Sequence, residues 1–210
     1  MEKLDLTQKF RSYYSAQTQP EFQQFGTVEY LSILGSGDPS SDEFSQKVEA
    51  LYTVAYTLKF LSKAQNQDFS VAKLEGLWWF DESKYRDITI DDAPVMIPRS
   101  EWSWRLLVRI PSFITPILLE TAKKNAFKKK KIELIEQVDF FSYDEGEVVQ
   151  MLHVGAFSEE PLSLKVLGDF MSHHQLSKGG FHHEIYLSDF RKTPPEKLKT
   201  ILREPIKRNN

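Results

Sequence analysis

The chain has 210 residues, a net charge of −3 and no cysteine. That length suits one large domain or two small fused modules. The charge balance lacks the basic excess of a nucleic-acid-binding surface, and disulfide and thiolate chemistry are excluded. Residues 1–5 carry no apolar stretch of the kind a secretory signal needs. No run reaches the roughly 18 apolar residues that span a membrane. The reading is a cytoplasmic protein with no membrane or direct nucleic-acid partner. Aromatic content is high, with 15 Phe, 8 Tyr and 4 Trp. Most rings belong in a core, but rings also stack on flat ligands and surround cations.

The pattern predicts an N-terminal edge strand and tether over 1–24. A strand follows over 27–34, ending at Gly35-Ser36-Gly37-Asp38-Pro39, which is turn chemistry. Ser40 or Ser41 caps a helix, and Phe44, Val48, Leu51, Ala55 and Leu58 mark its apolar face as far as about Lys63. A strand over 69–80 precedes a polar loop with Pro94 and Pro98. Another strand covers 101–110, and a helix covers 114–133. Residues 136–155 read as a hairpin turning at Tyr143-Asp144-Glu145-Gly146. A second helix runs over about 159–173, then come a strand over 181–188 and a last strand over 198–206.

Strand–glycine–helix–strand–strand thus occurs twice, from Gly35 to Glu75 and from Gly155 to Glu184. The fold class expected is α+β: two strand–helix–strand–strand modules with a ligand cavity between them. The domain from 25 to 207 divides into a first module (about 25–110), an inserted helix and hairpin (about 112–146) and a second module (about 147–207).

Strand alternation puts His182, Glu184, Tyr186 and Ser188 on one face. The same logic turns Lys73, Glu75, Leu77 and Trp79 inward. Trp104 also points inward, because Arg105 and Arg109 on the opposite parity belong in water. Trp78 and Trp102 have the other parity and read as core or surface.

The segments Leu-His-Val-Gly-Ala-Phe (152–157) and His-His-Glu-Ile-Tyr-Leu-Ser-Asp (182–189) resemble the GyrI-like small-molecule-binding superfamily. Trp102-Ser103-Trp104-Arg105-Leu106-Leu107-Val108-Arg109, with Pro111, Phe113 and Thr115, is similar to a stand-alone bacterial branch of it. So is the run from Arg191 to Lys199. The resemblance implies that Glu184 sits at the floor of a pocket that takes flat, hydrophobic or cationic molecules. It also implies hydrolysis of cyclopropanoid DNA-alkylating compounds within an aromatic cage, as in some members of the branch. Phe190 stands where the branch has Pro, and Ile110 and Ser112 replace polar residues beside Pro111.

Glu184 and Tyr186 are then the candidate catalytic residues. Trp79, Trp104, Glu75, Tyr30, Phe113, His153 and His182 are the candidate ligand contacts. No cofactor is expected. Neither His173-His174 nor His182-His183 reads as a metal site, because adjacent strand histidines point to opposite faces. The alternatives are a non-catalytic module that sequesters or senses small molecules, and a protein that protects DNA gyrase by binding it. The lysines from 128 to 131 read as a solvated helix end.

Overall fold

The computed structural model describes residues 3–208, so the first two residues of the expected N-terminal edge strand lie outside the described residues. A helical turn, α1 (Leu6–Lys9), opens the described chain. Then come β1 (Glu21–Ser36), α2 (Asp42–Ala64), β2 (Leu74–Trp79), the short α3 (Ala93–Met96) and β3 (Ser103–Arg109). The second half holds α4 (Pro116–Lys130), β4 (Asp139–Val154), α5 (Glu160–His173), β5 (Leu176–Lys178), β6 (His182–Tyr186) and β7 (Lys199–Arg208). Ser41 caps α2 by accepting the Phe44 N–H at 3.3 Å. Thr115 caps α4, with Pro116 at its first position.

All strand pairings are antiparallel, in the order β4-β1-β3-β2-β6-β7-β5, and β4 also pairs with β7. The six strands other than β5 therefore close into a barrel. Three clusters of buried residues follow from this. Outside one half, α2 and α4 cover Leu31, Ile33, Trp104, Leu106 and Val108. Outside the other half, α5 sets Leu164, Leu167 and Met171 against Val149, Met151 and Leu202. Inside lie Tyr30, Leu77, Leu107, Ile185 and Ile201, joined by Tyr13 and Tyr14 from the N-terminal segment.

Two expected elements differ. The N-terminal edge strand reduces to one parallel bridge between Leu4 and Phe69, and the following residues plug the barrel instead. The expected hairpin is the single strand β4, which pairs with β1 from Asp139 to Gln150 without reversing. Gly146, at φ +65°, changes the phase of the strand instead of turning it. Phe141, Tyr143 and Glu145 face the interior before it, and Gln150 and Leu152 after it.

The interior is polar at its centre. Glu75 accepts hydrogen bonds from Tyr13 (2.6 Å) and Tyr14 (3.2 Å) and meets His183 Nε2 at 3.1 Å. His183 Nδ1 meets Glu145 at 2.7 Å, and Arg203 donates to the other Glu145 oxygen at 2.8 Å. Arg203 also donates to the Tyr13 carbonyl and to Gln150. Two acids thus face two bases, all fully buried, and the ligand of Glu75 is the protein itself. His183 is tuned against burial, which alone would discharge it; the Glu145 and Glu75 carboxylates raise its pKa. Burial opposes the charge on Glu145 too, yet His183 and Arg203 hold its pKa down at about 2.

A buried pair that loses one partner costs about 3–5 kcal/mol, so His183→Ala should lower the urea unfolding free energy by that order. For Glu145 the depressed pKa means that its contribution is complete above the unfolded value of 4.5 and is lost as pH falls toward 2. Glu145→Gln should therefore flatten the acid limb of the stability–pH curve in urea titrations.

Candidate functional site

A large cavity lies outside the barrel, between α2, α5 and the 80–102 segment that joins β2 to β3. It encloses about 960 Å³. β6 forms its floor. Antiparallel partners share a face, and Glu184 pairs with Gly76 and His182 with Trp78. The indole of Trp78, rather than Trp79, therefore stands beside Glu184. Gly76 permits this closeness, since a Cβ there would fall 2.8 Å from Trp78 Nε1 and 3.3 Å from the Tyr186 hydroxyl.

A hydrogen-bond chain runs along the floor. Trp78 Nε1–H donates to the Tyr186 hydroxyl at 3.2 Å, and Tyr186 donates to Glu184 Oε2 at 2.5 Å. Burial and the Glu184 charge push the Tyr186 pKa up, so the phenol stays a donor. His182 Nδ1 meets Glu204 at 2.5 Å. Its Nε2 lies 3.4 Å from Glu184 Oε1 but makes no hydrogen bond. Burial works against the imidazolium, but Glu204 and Glu184 outweigh it and raise the His182 pKa to about 10.

A third acid enters from α5. Glu160 lines the cavity at the buried start of the helix. Burial, with the Glu184 charge added, pushes its carboxyl well above the usual carboxylate range. The floor thus sets two acids in unlike environments, Glu160 buried with Oε1 unpartnered and Glu184 hydrogen-bonded by Tyr186, the asymmetry that acid–base chemistry uses. Glu160 Oε1, Glu204 Oε2 and His182 Nε2 are buried without a hydrogen-bond partner, and all three residues line the cavity. Buried polar atoms are normally satisfied; these three are sealed from solvent and have no partner. Around them stand Trp78, Trp102, Phe80, Tyr85, Phe157 and Phe190.

The structure brings together Glu184, Tyr186 and His182 of the residues expected from the sequence. Trp79 lies on the barrel face, its ring 4.8 Å from that of Phe181. Glu75 and Tyr30 are inside the barrel, on the opposite face from Glu184. Trp104 shares the Glu184 face but is sealed under α2, packed edge-on to Phe44 and tight against Gly35. Phe113 packs on Phe69 beneath the helices. His153 is held between Ser163 and the Ala156 carbonyl and does not reach the cavity. Arg105 and Arg109 are not simply in water, since each stacks over a ring near the barrel end, Phe141 and Phe10 respectively.

Glu160 and Glu204 escaped the sequence reading, though both left a trace. Glu160 falls on the stripe of Leu164, Leu167 and Met171, and Glu204 alternates with Leu202 and Ile206. An acid in an apolar series is the signal.

The profile of the GyrI-like small molecule binding domain matches residues 18–207. The chain belongs to the GyrI-like family. Two solved structures from Listeria innocua are each 36% identical to it over 98% of this chain and 100% of theirs. One, an uncharacterized conserved protein, superposes with a TM-score of 0.86; the other, described as a hydrolase, with 0.82. The C-terminal domain of EcmrR shares the fold alone, at 11% identity and a TM-score of 0.57, over 91% of this chain and 98% of that domain. No curated protein sequence matches the chain. As a GyrI-like domain, this protein is built to bind a small molecule. Among the described residues no helix is long and apolar enough to cross a membrane, and no cluster of three His, Asp or Glu side chains is arranged to hold a metal.

The His182 pKa can be read directly. Its imidazole ¹⁵N resonances should report a cation up to about pH 10, against 6.5 for a free histidine. Replacing Glu204 by Gln should move the titration down. Because the folded value is the higher one, the stabilisation from His182 is complete below pH 6.5 and fades as pH rises through about 10.

Proposed function

We propose that this protein binds flat, hydrophobic or cationic small molecules in the cavity over Glu184 and hydrolyses xenobiotics of the cyclopropanoid DNA-alkylator type. The observation that carries this reading is the floor itself: Glu184, hydrogen-bonded by Tyr186, and the buried Glu160 within an aromatic enclosure. The hydrolase description of one Listeria relative at 36% identity points the same way.

In such a substrate a cyclopropane is conjugated to a dienone. Glu184 takes a proton from water as the water oxygen attacks a cyclopropane carbon. The ring C–C bond breaks, and its electron pair moves through the dienone to leave a phenolate. A proton from Glu160 neutralises that oxygen, the proton taken up by Glu184 returns to Glu160, and the net change is the gain of one water. Trp78 and Trp102 stack on the flat rings and hold the carbon in line, which converts an encounter with water into an oriented one. Cation–π attraction of roughly 0.5–2 kcal/mol per ring favours a positively charged ligand at the same place.

Glu184→Gln should abolish turnover of a cyclopropanoid, measured by mass spectrometry as loss of the product heavier by one water, while the compound still binds. Wild-type turnover in that variant would remove Glu184 as the base. Glu160→Gln should slow the reaction by roughly 10²–10⁴-fold, the usual span of a general acid, with binding again retained. A third, purely geometric variant is Gly76→Ala. Its methyl displaces the buried Trp78 indole, so calorimetry should show weaker binding of tetraphenylphosphonium, together with a lower unfolding temperature from the overpacking.

A further inference from the structure

A second concavity, of about 820 Å³, lies on the far side of the wall formed by Tyr186 and Phe190. It runs along α2 between the end of α4 and residues 186–191. Phe44, Leu74, Tyr186 and Phe190 line both this groove and the main cavity. Its floor is an aromatic stripe at helical spacing: Tyr52, Tyr56 and Phe60. Tyr56 is 49% exposed and Phe60 63% exposed. Helix α2 otherwise buries its large apolar side chains, so two open rings in one stripe are not needed by the core.

The groove carries a basic excess. Lys73, Lys129, Lys130 and Arg191 line the groove, against Glu49 and Asp189. Asp189 is taken by Arg191 at 3.0 Å and Lys192 at 3.6 Å. Among the described residues Lys73, Lys129 and Lys130 have no carboxylate within 4 Å. The main cavity is mixed instead: Glu184 and Glu204 flank His182 on its floor, and Arg86, Arg99 and Lys178 also line it.

We infer that the α2 groove is a second ligand site, selective for flat aromatic anions such as aromatic carboxylates and sulfonates. Rings of the ligand lie on Tyr56 and Phe60, and the acid group meets the ammonium groups of Lys129 and Lys130. The site is independent of the chemistry proposed over Glu184, which prefers neutral or cationic molecules.

The test uses the full chain, with 1-pyrenesulfonate and its charge-reversed counterpart 1-pyrenemethylammonium followed by fluorescence at low salt. The sulfonate should bind in the presence of saturating tetraphenylphosphonium. Lys129→Glu with Lys130→Glu should weaken the sulfonate by about tenfold or more, since each reversal replaces attraction by repulsion. The same pair should strengthen the ammonium compound. Phe60→Ala should weaken the sulfonate while leaving tetraphenylphosphonium binding untouched. The inference is overturned if the phosphonium displaces the sulfonate, or if charge reversal leaves the sulfonate affinity unchanged. Loss of phosphonium binding in Glu184→Gln bears only on the main cavity, so the two readings fail separately.

Discussion

His183 between Glu75 and Glu145 is the constraint on which the rest of the molecule depends. These three side chains belong to β6, β2 and β4, strands from different parts of the closed sheet. An imidazole buried between two carboxylates is stable only when every partner is in place. Arg203 supplies the second positive charge, Tyr13 shares Glu75 Oε2 with His183, and Tyr14 takes Glu75 Oε1. The network therefore fixes the register of β6 against β2. A slip of one residue would exchange the two faces of the strand. It would turn Glu184 into the barrel and His183 into the cavity.

With that register set, the two histidines of β6 serve opposite faces. Each lies between two glutamates, His183 inside the barrel and His182 under the cavity. The difference is in satisfaction. The inner network pairs its charges and leaves no side-chain atom of Glu75, Glu145, His183 or Arg203 unpartnered, whereas the cavity floor keeps three polar atoms unpartnered among Glu160, Glu204 and His182. The inner set thus serves stability, and the outer set is the less satisfied of the two. The helix α5 contributes to both ends of this arrangement. It buries Leu164, Leu167 and Met171 against the sheet and delivers Glu160 beside Glu184 from its first turn.

Much of the fold was legible because its helices follow an apolar period and its strands end at glycine and proline. Glu184, Tyr186 and His182 were legible as a face of one strand, and a motif marked that strand. What alternation cannot give is how one strand's faces align with another's. Glu75 and Glu184 hold corresponding places in the sequence pattern, yet the observed pairing sets Glu75 opposite Ile185, so the two acids look in opposite directions. The same offset exchanged Trp79 for Trp78. The plug of the barrel was illegible for another reason. Tyr13 and Tyr14 sit in a polar segment with no period, and only the acids and bases they meet, far away in sequence, give them a place. Tyr143-Asp144-Glu145-Gly146 has turn composition, but long-range pairing with β1 overrides it and keeps the chain extended.

The central claim is that Glu184 and its ring of Trp78, Trp102 and Phe157 meet the ligand. A crystal structure of the Glu184→Gln protein with an unreacted cyclopropanoid tests this most directly. The account predicts the flat rings between Trp78 and Trp102, with the cyclopropane turned toward residue 184 and Glu160. A compound found inside the barrel against Glu75, or only in the α2 groove with the main cavity unaltered, would contradict it.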